Sequence, residues 1–101
     1  MTNNERLEKV MTTKGLVTED QLAMFKEEYG IAPANTIRGW NKLGFSVKKG
    51  EKVAAWTRLW EKKGDEFELT FAGLFRIDQV QPTHADYSTK QKKMLKMLGL
   101  K

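Results

Sequence analysis

The sequence predicts an α+β fold: short helices packed on one face of a small antiparallel β-sheet, with a basic helix near the C-terminus. Three observations lead there. Apolar residues recur at helical spacing as far as Leu43, then alternate with polar ones from Phe45 onward. Gly15, Gly30, Pro33, Gly44 and Pro82 punctuate the change. A lysine-rich helical pattern returns after Pro82. Helices grouped ahead of strands, rather than alternating with them, define an α+β domain.

Each element has a local reason. Leu7, Val10 and Met11 share one helical stripe, and Gly15 stops it. Thr18 and Gln21 form a capping box ahead of Leu22, Phe25 and Tyr29, and Gly30 closes that helix. Pro33 breaks the chain, after which Asn35 or Thr36 caps a third helix carrying Ile37, Trp40 and Leu43. Phe45 and Val47 begin the alternating region. KKGEK (48–52) turns the chain as a hairpin tip, Val53 to Trp60 forms a strand, and EKKGDE (61–66) turns it again. Phe67 to Val80 reads as one long strand with Phe67, Leu69, Phe71, Phe75 and Ile77 on one face, bulged or bent at Gly73. Ser88 or Thr89 caps the last helix, in which Met94, Leu95 and Leu98 oppose Lys90, Lys92, Lys93 and Lys96. The expected division is an α+β nucleic-acid-binding-like domain over 1–82, then a linker and basic amphipathic helix over 83–101.

At 101 residues the chain builds one core, and 40% hydrophobic residues suffice to fill it. No apolar run approaches the roughly 18 residues of a membrane span, and the first residues lack a signal-peptide pattern. With no cysteine, disulfides and thiolate metal sites are out, and a soluble cytoplasmic protein with no membrane partner is expected. Charge is uneven. Residues 1–30 hold four basic and six acidic side chains, residues 31–81 nine and six, and residues 82–101 five and one. Basicity rising along the chain to a net +5 points to a polyanionic partner.

Catalytic patterns are missing. His84 is the sole histidine, so neither HExxH nor a paired zinc site can form. The glycine of KKGEK is not followed by Lys-Ser or Lys-Thr, as a P-loop requires. Asp65, Glu66 and Glu68 fit a solvated turn better than a Mg²⁺ site. The expectation is a non-enzymatic protein with no catalytic residue, metal ligand or cofactor.

Binding single-stranded nucleic acid needs cations for phosphates and flat faces for bases. Lys42, Lys48, Lys49 and Lys52, followed by Trp56, Arg58 and Trp60, supply both types within one stretch. Trp56, Arg58 and Trp60 alternate, so they leave the same side of their strand. Hairpin register decides their surroundings. Pairing Trp60 with Phe67 sends both tryptophans into an aromatic core, whereas pairing Leu59 with Phe67 turns them out beside Glu68 and Thr70. A division with Trp56 in the core and Trp60 in the groove is the expected compromise. The rival account of the lysines is a charged turn that discourages edge pairing.

TIRGWNKLGFSVKKGEKVAAW (36–56), with FAGLFRIDQVQP (71–82) further on, resembles the N-terminal single-stranded-DNA-binding domain of ArdC-type antirestriction proteins. Gly44, Val47, Lys48, Lys49, Gly50, Glu51 and Lys52 match the family's turn, and Phe75, Ile77, Asp78, Gln79 and Val80 its closing segment. The likeness covers residues 36–82. The family's Tyr-x-Gly-x-Asn pattern does not occur in residues 1–35, and no HExxH marks the metallopeptidase-like domain of full-length members. The resemblance implies single-stranded DNA rather than RNA as partner, a phage or plasmid origin in a bacterial host, and an antirestriction role. A second expectation, from a different class, is a protein that inhibits a host restriction or CRISPR nuclease. Its partner element would be the helix from Thr89 to Leu100, basic on one side and Met/Leu-rich on the other, which also offers a route to a dimer.

Overall fold

The computed structural model describes residues 2–100, and its fold is α+β. Helices α1 (Asn3–Thr13) and α2 (Glu19–Tyr29) each begin with a capping box, at Thr2 with Glu5 and at Thr18 with Gln21. The short strand β1 (Ala34–Asn35) leads into α3 (Ile37–Lys42). Thr36 caps α3 by accepting from the Gly39 N–H, and the Asn35 side chain holds the Thr36 N–H. Strands β2 (Phe45–Val47), β3 (Ala55–Lys63) and β4 (Glu66–Arg76) follow. A single 3₁₀ turn, Ile77–Gln79, then leads to β5 (Val80–Pro82) and α4 (Tyr87–Met97).

The strands form two antiparallel sheets, β1-β4-β3 and β2-β5. This corrects the expected hairpin at KKGEK. β2 pairs with β5, Phe45 opposite Pro82 and Val47 opposite Val80, so the lysine turn passes from one sheet to the other. The alternation around the turn is local, but the partner of β2 lies more than thirty residues downstream. The long final strand is also corrected, because Ile77 and Asp78 leave extended geometry and only Val80 resumes it. Nor does Gly73 bulge: the β3–β4 ladder runs without a slip from Lys63↔Glu66 to Ala55↔Leu74. Glycine is needed there for proximity, since a Cβ would lie 2.7 Å from Val53 Cγ2.

One core joins the elements. Leu7 and Met11 of α1, Leu22 and Phe25 of α2, Trp40 of α3, and Leu74 and Phe75 of β4 are all buried. Trp40 is fully enclosed and its indole N–H donates to the Phe75 carbonyl at 2.8 Å. Ile37, expected on the same stripe, is instead half exposed.

The last helix docks on its own domain. Met94 and Leu98 enter the core, and the buried Gln91 donates to the carbonyls of Ile77 and Val80 at 3.1 and 2.6 Å. Neither Ser88 nor Thr89 caps it. The N-cap position is Asp86, without a side-chain cap bond, because the helix starts earlier, at Tyr87. Lys90, Lys92, Lys93 and Lys96 face solvent.

Candidate nucleic-acid interface

The β3–β4 hairpin closes through the two-residue loop Gly64–Asp65, and its register fixes two unlike faces. Directly opposed residues share a face, so Trp56, Arg58, Trp60 and Lys62 stand with Gly73, Phe71, Leu69 and Phe67. The other face carries Thr57, Leu59, Glu61 and Lys63 with Ala72, Thr70, Glu68 and Glu66. Every carboxylate of the two strands is on that second face. There Glu61 accepts from the Thr70 hydroxyl and Glu68 pairs with Lys63. Apart from Gly73, the first face holds only cations and large apolar groups.

That first face lies open. Trp56, Phe67 and Phe71 are 60, 64 and 70% exposed, more than a core position would allow, and Trp60 is 42% exposed. Both register expectations are therefore corrected. The actual pairing, Trp60↔Leu69, gathers the aromatics of both strands on one side, and that side is the outside. The division of labour between the tryptophans is overturned as well, since Trp56 is the more exposed. The reason lies in the layers: α1 packs beside β3, and along the β3–β4 ladder the core takes Leu74 and Ala55 from the opposite parity; the rings' own parity is buried only beyond the ladder, at Phe75.

Cations stand against the rings. The Arg58 guanidinium lies 4.8 Å from the Phe71 ring centre, and Arg6 of α1 lies 5.8 Å from that of Trp60. α1 is tied there by Asn3, whose carboxamide accepts from the Trp60 N–H at 2.8 Å and donates to the Trp60 carbonyl at 3.1 Å. The Asn3 side chain thus closes the outer edge of β3 as a neighbouring strand would.

The lysine turn is a built element. The Glu51 N–H donates to the Lys48 carbonyl at 3.2 Å, and Gly50 takes φ +87°, the third position of a type II turn. Gln79 holds it from beneath, donating to the Lys52 carbonyl at 2.7 Å and to Glu51, and accepting from the Arg76 N–H. Arg76 grips Asp78 through two bonds of 2.8 and 2.9 Å. That hydrogen bonding, with the positive charge behind it, holds the Asp78 carboxyl below the usual carboxylate range and raises Arg76. The Lys48 amine is turned inward to the Asp78 carbonyl at 3.2 Å, while Lys49 and Lys52 point to solvent.

The site residues expected from sequence therefore divide. Trp56, Arg58 and Trp60 share one open face, and Lys52 leads into it through Val53, which touches the Gly73–Trp56 end. Lys48 and Lys49 sit on the adjoining turn. Lys42 lies elsewhere, in a cleft with Asn4, Glu8 and Lys26. Sequence reasoning missed Phe67, Leu69, Phe71 and Lys62, and also Arg6 and Arg38. Had EKKGDE been given its two-residue loop, the parity of Glu61, Glu66 and Glu68 would have exposed the split between faces. At the base of the hairpin, Ile37, Val53, Trp56, Ala72, Gly73 and Phe75 line an apolar recess with Thr36 and Arg38 at its rim.

Among the described residues no cluster of His, Cys, Asp or Glu could hold a metal ion, and no helix is long and apolar enough to cross a membrane. His84 is exposed, its ring edge-on to Tyr87. The fold and the surface together define a small α+β domain that presents an aromatic, cationic hairpin. Comparison with protein-family models, curated proteins and solved structures finds no match to the chain.

Proposed function

We propose that this protein binds single-stranded nucleic acid on the open face of the β3–β4 hairpin and acts by binding rather than catalysis. One observation carries the reading. Trp56, Trp60, Phe67 and Phe71 are exposed on a face whose charged strand residues are Arg58 and Lys62, with Arg6 beside Trp60, while all the strand carboxylates point away. Bases stack on the rings, and phosphates meet Arg58, Lys62, Lys49 and Lys52. A duplex hides its base faces, so the platform favours single strands. The ArdC-type likeness of residues 36–82 favours DNA over RNA and a role against host restriction in a bacterial mobile element.

The test is fluorescence anisotropy of a labelled oligonucleotide. Trp56→Ala and Phe71→Ala should each weaken binding by about 1–3 kcal/mol, and affinity should fall steeply with salt. Tighter binding to blunt duplex, or unchanged binding by both variants, would refute the reading. A second reading rests on the apolar recess beside Trp56, which suits an inserted side chain of a host defence nuclease. Such docking would vary little with salt.

A further inference from the structure

We propose that the open edge of β4 pairs antiparallel with the same edge of a second copy, with the two-fold axis at Leu69. The argument starts from Asn3. Because its side chain takes both the N–H and the carbonyl of Trp60, those groups point away from β4. Trp60↔Leu69 is then a non-hydrogen-bonded pair of the ladder, and the Leu69 N–H and C=O also point outward, toward the opposite edge. By the two-residue period, Phe67 and Phe71 do the same. β1 occupies that edge only at Phe75 and Arg76, and among the described residues no backbone hydrogen bond is made there by Phe67, Leu69 or Phe71.

The two edges of the hairpin thus differ. One is tied by Asn3 at Trp60; the other offers, among the described residues, a row of free donors and acceptors over a segment, Glu66–Ala72, that contains no proline and no lysine. Such an edge is a template for another strand, and its sequence is complementary to itself in one register. With Leu69 facing Leu69 of the second copy, each Phe67 faces a Phe71, each Glu68 a Thr70, and each Glu66 an Ala72. No carboxylate meets a carboxylate, and the outward groups of Phe67, Leu69 and Phe71 fall into hydrogen-bonded pairs. Moving the axis to Glu68 sets Glu68 against itself, and moving it to Phe67 sets Glu66 against Glu68. Moving it to Thr70 or Phe71 carries Asp65 or Phe67 of the second copy opposite Phe75, where Asn35 of β1 is already paired. An axis between residues would join the aromatic face of one copy to the acidic face of the other. The Leu69-centred pair yields a continuous sheet, β3-β4-β4-β3, with the aromatic face doubled in width.

The experiment uses the absence of cysteine from the chain. At a hydrogen-bonded two-fold position the Leu69 Cα atoms lie about 5.5 Å apart, within disulfide reach. The two copies of residue 67 lie about 13 Å apart along the strands, as do those of residue 71, beyond that reach. Leu69→Cys, Phe67→Cys and Phe71→Cys all replace exposed side chains. Under mild oxidation without nucleic acid, Leu69→Cys should form a covalent dimer at least tenfold faster than either of the others. Sedimentation of the unmodified protein should show concentration-dependent dimer at moderate salt, where repulsion between chains of net +5 is screened. Equal cross-linking at the three positions, or none, overturns the register. A monomer at every soluble concentration overturns the pairing itself, and leaves oligonucleotide binding to be judged by its own titration.

Discussion

Replacing Gln91 by leucine isolates what holds the last helix to the domain. Gln91 is 8% exposed, and its amide nitrogen bridges the carbonyls of Ile77 and Val80. Leucine keeps the volume and removes both donors. A buried carbonyl that loses its partner costs about 1–3 kcal/mol. Two of them outweigh the roughly 1–2 kcal/mol that added apolar contact returns. At mid-range values, about 2 kcal/mol for each carbonyl less about 1.5 regained, the net loss is about 2–3 kcal/mol, a large share of the roughly 5–15 kcal/mol that hold a domain together. For a chain of this length each kcal/mol lowers Tm by about 4–8 °C. Urea denaturation followed by circular dichroism measures it, with Lys92→Ala, on the solvated side of α4, as a control within about 0.5 kcal/mol of the parent. Equal or greater stability of Gln91→Leu would mean that α4 does not depend on this bridge and is held by Met94 and Leu98 alone.

Two further outcomes follow from local geometry. Asp78 has its folded-state pKa lowered by the Arg76 hydrogen bond. The pair therefore stabilises the protein above the ordinary carboxylate pKa, and loses that contribution as pH falls through the lowered one. Asp78→Asn should cost about 1–2 kcal/mol near neutral pH, with the gap to the parent closing in acid; a gap independent of pH would contradict the assignment. Gly73→Ala drives a Cβ into Val53 and should cost about 1–3 kcal/mol, partly recovered by adding Val53→Ala, as equilibrium unfolding of the pair would show. An additive pair would place the strain elsewhere.

The sequence made the helices legible because their signals are short-range. Thr18 with Gln21 and Thr36 before Gly39 are read within one turn, and each forms as expected. Trp40 was legible as core for the same reason. The sheet was legible in period but not in partnership. Nothing near Phe45 says that its ladder partner is Pro82, and without that pairing the lysine turn looks like a hairpin tip. The aromatics were legible as a group, yet which side of the hairpin meets the core depends on where α1 and α3 pack, which no local pattern encodes. Aromatic residues at alternate positions ordinarily mean burial. Here the parity of Leu74 and Ala55 won the interior along the β3–β4 ladder, and the larger rings were left outside; only Phe75, beyond the ladder, is buried from their parity.

The separation of rings from carboxylates also restricts how the hairpin can change length over evolutionary time. Adding one residue to β3 alone would carry every β3 side chain beyond it to the other face, placing Glu61 among the rings. A bulge can absorb such an insertion, but only by spending a ladder position on a strand whose outer edge Asn3 already fixes at Trp60. Tolerated insertions and deletions should therefore come as matched changes on both strands, or at the Gly64–Asp65 loop, where no partner keeps count. Within the strands, relatives of this chain would differ by two rungs at a time, four residues, because a single added rung turns every side chain beyond it to the opposite face.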